Sequence, residues 1–248
     1  MRVRGRYAKS GRLRFVSAID LGRLWERALR KADLPIAYSE GFSPHPKVSF
    51  PDALPLGYAS TGEYVELTFA APIRLPDDIR RLNAAFPDGL RILHTAPVPD
   101  GAPKLAKRLR ASMWTLDYPE TVDGEGLQRA VETVRSVEEL LVERQRRGDS
   151  VTVDLHPSIH QISITTRHVT ATLLHTQPPV RPSEVHLALQ QYTDGPLADA
   201  ALITRVAQGV PNDLGLAEAL TDEQIRADAG DPTPDRALAA GSGDVRGP

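Results

Sequence analysis

Cysteine is absent from all 248 residues. This excludes disulfides, a thiolate nucleophile, cysteine zinc sites and iron–sulfur clusters ligated by this chain. No apolar run approaches the roughly 20 residues that span a bilayer. The start, Met1-Arg2-Val3-Arg4, lacks the uninterrupted apolar stretch of a secretory signal, so a cytoplasmic protein with no membrane contact is expected. The glycines form no phosphate-cradling loop of the Walker or dinucleotide kind. His156 and His160 are spaced four apart, as helical metal ligands are, but Pro157 and the alternation at Ile162 and Ile164 favour strand or loop. No metal and no cofactor is expected.

The composition is that of a soluble globular chain, 41% hydrophobic and 25% charged, long enough for two domains. A net charge of −2 conceals a polar distribution. Residues 1–50 hold eleven Lys/Arg against four Asp/Glu, whereas residues 213–248 hold eight Asp/Glu against three Arg.

Arg2, Arg4 and Arg6 alternate with Val3 and Tyr7, and Arg12 and Arg14 with Leu13 and Phe15, which predicts two strands with a basic outer face, or one bent strand with a bulge. Ser17 and Asp20 have capping-box spacing, with Asp replacing Glu. The helix they open runs to about Ala32, with Leu21, Leu24, Trp25, Ala28 and Leu29 inward and Arg23, Arg27 and Arg30 outward. A strand over 64–69, a helix through Ile79 and Leu82 and a strand over 90–93 complete the ferredoxin-like βαββαβ order. A similar order recurs: strand 113–118, helix 123–134, strands 137–144, 151–155, 159–166 and 169–174, helix 182–191 and a last strand 200–206. The expected fold is therefore α+β, with two ferredoxin-like halves built on antiparallel sheets. The expected domains are 1–96, 104–210 and a mostly disordered acidic tail, 211–248, in which 214–225 has the pattern of a short helix.

The stretch Gly41-Phe42-Ser43-Pro44-His45-Pro46-Lys47 carries the densest chemistry. Each proline stiffens its neighbour toward extended geometry, which would set Ser43, His45 and Lys47 on one face. With the arginines at 6, 12, 14, 23, 27 and 30 they make a candidate phosphate- or RNA-binding surface, because guanidinium and ammonium groups neutralise phosphates and release counterions. Lys104, Lys107, Arg108 and Arg110 form a second basic cluster. The same stretch read structurally is an edge strand or loop whose prolines block aggregation. Read catalytically, His45 is a general base and Lys47 a phosphate holder that together cut RNA without metal.

The run Arg6–Ser17, the helix from Asp20 to Arg30, the segment Tyr38–Lys47, and Ala53-Leu54-Pro55-Leu56-Gly57 resemble the radical-SAM-associated domain of unknown function. Further landmarks of that family stand at Asp154-Leu155-His156-Pro157 and Arg181-Pro182-Ser183-Glu184. The resemblance implies a radical SAM partner protein of the cobalamin-binding type and an accessory or substrate-recognition role. One departure is Ala18, where the family usually has histidine. A more distant architectural likeness is to the CRISPR repeat-processing endoribonucleases, without their glycine-rich C-terminal loop.

The leading expectation is a non-catalytic module that binds ribosomal or transfer RNA, or presents another substrate, to a radical SAM protein. The alternatives are a metal-independent endoribonuclease using His45 and Lys47, and a protein-binding scaffold.

Overall fold

Val3 and Tyr7, on alternate positions of β1 (Arg2–Lys9), turn inward against α1 (Ala18–Lys31). The helix begins where its cap predicts: the Ser17 hydroxyl accepts from the Asp20 N–H at 3.1 Å and donates to the Asp20 carboxylate at 2.8 Å. Trp25, wholly buried, receives Tyr7, Phe50 and Phe86 edge-on with ring centroids 4.7–5.8 Å away. This concentrates much of the chain's small aromatic content in one core. The structure, a computed structural model, describes residues 1–146 and 148–220. Of the tail expected to be mostly disordered, 211–248, residues 221–248 lie outside the described residues.

The remaining elements of the first half are β2 (Val48–Ser49), β3 (Ala59–Thr68), α2 (Asp77–Ala85) and β4 (Leu90–Pro97). Their strands lie in the order β4-β1-β3-β2, all antiparallel. The second half holds β5 (Ala111–Asp117), α3 (Gly124–Ser136), the hairpin β6 (Leu141–Arg146) and β7 (Asp149–Asp154), then β8 (Ile159–Thr165), β9 (His168–Leu174), α4 (Pro182–Gln190) and β10 (Leu202–Asn212). Its order, β10-β5-β9-β8, repeats that of the first half, with β6–β7 as a separate two-stranded insertion. Both halves are thus ferredoxin-like, in an α+β fold. Each has its own buried cluster, one around Trp25, Leu29 and Leu82, the other around Leu116, Leu127 and Val185.

The halves share one sheet because β10 pairs with β3 in parallel, Thr204 opposite Ala59 and Arg205 opposite Ser60. Gly62 makes the approach possible, since a Cβ there would fall 2.6 Å from the Ala207 backbone.

Three local expectations are corrected. Residues 11–15 form a 3₁₀ turn rather than a second strand. Both edges of β1 are already taken by β3 and β4, and Gly11, at φ +58°, turns the chain away. The strand expected from 137 begins only at Leu141, after Val137 caps α3 in extended geometry. The helix expected from 214 is instead β11 (Gly215–Glu218), which pairs with a β10 that continues to Asn212. Those tail residues are held by the sheet, a partner that helical periodicity does not register.

Candidate nucleic-acid interface

Arg23, Arg27 and Arg30 project from the outer face of α1 and, with Leu13, Val16 and Leu24, line a groove of about 550 Å³. Its floor is apolar, and its rim sets the three arginines beside the carboxylates of Asp20 and Glu26. Arg23 pairs with Asp20 at 3.0 Å, and Arg30 Nε reaches the Glu26 carbonyl at 3.5 Å. Among the described residues neither Arg27 nor Arg12, both exposed, has a carboxylate within ion-pair distance. Asp20 is held below the ordinary carboxylate range by the Ser17 hydroxyl first and by Arg23 second, so it stays an ionised helix cap.

The other predicted residues fall elsewhere. Arg14 lies in the 3₁₀ turn, its guanidinium 5.2 Å from the centroid of the exposed Phe15 ring. Arg6 is on the opposite face of the sheet, tied to Glu218 at 2.6 Å and to the Thr61 and Val206 carbonyls. Ser43, His45 and Lys47 are exposed on a loop that folds back on itself. The His45 carbonyl accepts from the Ser39 N–H, and the Lys47 N–H donates to the Ala37 carbonyl. His45 and Lys47 thus sit at alternate positions of an extended arm, while Ser43 lies in the bend that follows Gly41, at φ +127°. Among the described residues no hydrogen bond or ion pair joins this loop to the arginines of α1, and no group contacts the His45 ring through a hydrogen bond. His156 falls in a 3₁₀ turn, and His160 on β8 bonds the Asn212 carbonyl.

Two features escape sequence reasoning. Phe15 and Phe42 are exposed aromatics, the first 65% exposed and the second entirely so. Phe15 has the alternation of an inward strand residue, and only the turn reverses it. The second feature is the closed rear face of the first half. In RNA readers that use a sheet as platform, strand aromatics stack on bases. Here that face carries Tyr64 packed under Leu105, Leu109, Ala219 and Leu220, with the Tyr64 hydroxyl bonded to Glu218 at 2.9 Å. That platform is covered by Leu105 and Leu109, which precede β5, and by Ala219 and Leu220, which follow β11.

A cleft of about 430 Å³ lies between the halves. Arg205, Ser112 and Trp114 are its buried floor. Arg205 makes four hydrogen bonds, two to Glu63 and two to Asp52. Burial alone would lower its pKa, but Glu63 and Asp52 hold it above the ordinary guanidinium value. The landmark segments 53–57 and 181–184, distant in sequence, meet here through Ala53, Pro55, Arg181 and Pro182.

Among the described residues no helix is long and apolar enough to cross a membrane. No curated protein matches the chain. Among solved structures it is similar to the first two RRM domains of yeast poly(U) binding protein (Pub1), at 9% identity and a TM-score of 0.20, covering 83% of this chain and 99% of that one. The fold assignment rests on the strand order alone. Residues 2–182, nearly three-quarters of the sequence, match the family described as uncharacterized protein conserved in bacteria, DUF2344, and the chain belongs to that family.

Proposed function

We propose that this protein is a non-catalytic RNA-binding module whose contact surface is the basic groove of α1, serving a radical SAM partner protein. The observation that carries the RNA reading is the rim of that groove. It presents Arg27 beside Arg23 and Arg30, with Arg12 and the exposed Phe15 on the adjoining turn, and among the described residues neither Arg27 nor Arg12 has a carboxylate within ion-pair distance. Free guanidinium groups next to an exposed aromatic supply the two contacts that single-stranded RNA uses, phosphate neutralisation and base stacking. Lys47 and Phe42, both exposed on the 41–47 loop, offer the same two chemistries.

The radical SAM partner is supported by the family resemblance, which covers residues 2–70 most closely. With no cysteine, this chain contributes no thiolate to a cluster, so the cluster chemistry belongs to the partner.

Fluorescence anisotropy with a labelled single-stranded RNA tests the RNA reading. Affinity should fall steeply as salt rises, and Arg23→Glu/Arg27→Glu should weaken binding at least about ten-fold, as loss of charge-assisted contacts implies. Binding that ignores salt, or that survives both reversals, refutes it.

A further inference from the structure

The cleft between the halves is not used by the groove just described, and its chemistry is graded from floor to rim. At the floor, the Ser112 side chain, 3% exposed as a residue, lies 2.6 Å from His175 Nε2. His175 Nδ1 lies 2.8 Å from the Leu109 carbonyl, so Nδ1 carries the proton and Nε2 accepts the hydroxyl hydrogen of Ser112. The Ser112 oxygen therefore meets the cleft only as an acceptor. Asp52 is a second acceptor, since one of its carboxylate oxygens engages Arg205 while its side chain remains 39% exposed. Asp52 and Glu63 are balanced by the Arg205 guanidinium and the buried Lys9 ammonium, so this end is close to neutral in charge and what it offers the cleft is the acceptor oxygens of Asp52 and Ser112.

The rim is cationic. Arg181 is exposed there, and among the described residues no carboxylate lies within ion-pair distance of its guanidinium. Between the two ends the walls are formed by the apolar Pro55, Leu173, Pro179 and Val180, with Thr176 and Gln177 at their edge. The volume of about 430 Å³ falls within the roughly 300–1,000 Å³ of small-ligand sites.

We propose that the cleft receives one nucleotide whose base carries an exocyclic amino group. Its phosphate meets Arg181, its ring lies between the apolar walls, and its amine donates to Asp52 and Ser112. Carboxylates accept from the amine of cytosine, whereas uracil presents a carbonyl there and is repelled. This rests on the RNA-binding reading, for the nucleotide is taken as one extruded from the strand held along α1. The two sites are physically linked. The Gly57 N–H donates to the Arg14 carbonyl at 2.9 Å, which fastens the turn that floors the groove to the loop that lines the cleft.

Titration calorimetry of the full chain with cytidine and uridine 5′-monophosphate tests the cleft apart from the groove. Cytidine monophosphate should bind saturably at one site and at least about ten-fold more tightly than uridine monophosphate. Arg181→Glu, at an exposed position, should weaken it by a similar factor while circular dichroism matches that of the parent. Ala53→Trp should abolish it by filling the mouth. Arg23→Glu/Arg27→Glu should leave it unchanged. No saturable binding at millimolar cytidine monophosphate, equal binding of the two nucleotides, or indifference to Arg181→Glu and Ala53→Trp each overturns the proposal. Nucleotide binding that persists in a protein with no affinity for RNA supports the cleft while refuting the groove.

Discussion

Arg205 of β10 lies against Glu63 of β3 in a two-pronged ion pair, with Nε–Oε1 at 2.7 Å and Nη2–Oε2 at 2.6 Å, both side chains almost wholly buried. It bolts one half of the molecule to the other beside their shared parallel strand pair. The guanidinium also rests 5.4 Å from the centroid of the Trp114 ring, so it joins the polar seam to the second core.

Removing one partner leaves an uncompensated buried charge. Glu63→Gln or Arg205→Met should each cost about 3–5 kcal/mol in urea denaturation. The double replacement should cost much less than the sum of the two, and the coupling is read from the double-mutant cycle.

Backbone approach sets a second limit. Gly62→Val would thrust a branched side chain into the Ala207 backbone, where even a Cβ comes within 2.6 Å. Separation of β3 from β10 should follow, with a loss of at least about 1–3 kcal/mol, as overpacking implies. Amide exchange in β10 should accelerate more than in β9, which pairs only with strands of its own half.

At the start of α1, Ser17→Ala removes the cap on the Asp20 N–H and should destabilise the fold by about 1 kcal/mol. Ser17→Asp should retain most of that stability in thermal melts, because aspartate caps equally well.

Two histidines make stability rise with pH. His186 is buried, stacked on Tyr118 and bonded to its hydroxyl at 3.0 Å; burial lowers its pKa, only partly opposed by Asp199. His175 is lowered by desolvation of its ring, with Asp52 opposing. In each case the unfolded chain binds more protons than the folded one once pH falls below the ordinary histidine value of about 6.5. Their contribution is complete above that value and is lost as pH drops toward the lowered folded-state pKa. Denaturation midpoints across this range should show the slope, and His186→Gln should flatten it.

For the RNA reading, salt dependence counts contacts. Arg27→Ala should reduce the slope of log affinity against log salt by about 0.7, the value for one phosphate of a single strand. A wild-type slope in that variant would remove Arg27 from the interface.

Much of this molecule is written locally in its sequence. Ser17, Asp20 and the stripe Leu21-Trp25-Ala28-Leu29 determine α1, its start and its buried face, because capping and helical periodicity act within a few residues. The repeated order of strands and helices likewise determines two ferredoxin-like halves. The alternation at 12–15 was too short to prevail, since no free edge of β1 remained to receive a strand. Only the tertiary structure decided that β3 and β10 adjoin, that Phe15 faces outward, and that Arg6 braces the rear face while Arg27, among the described residues, has no carboxylate partner. It also joined Asp52 to Arg205 across 153 positions and brought segments 53–57 and 181–184 to one cleft. Pairing across such separations depends on which strand edges and charges remain unsatisfied once each half has folded, and local periodicity carries no record of that.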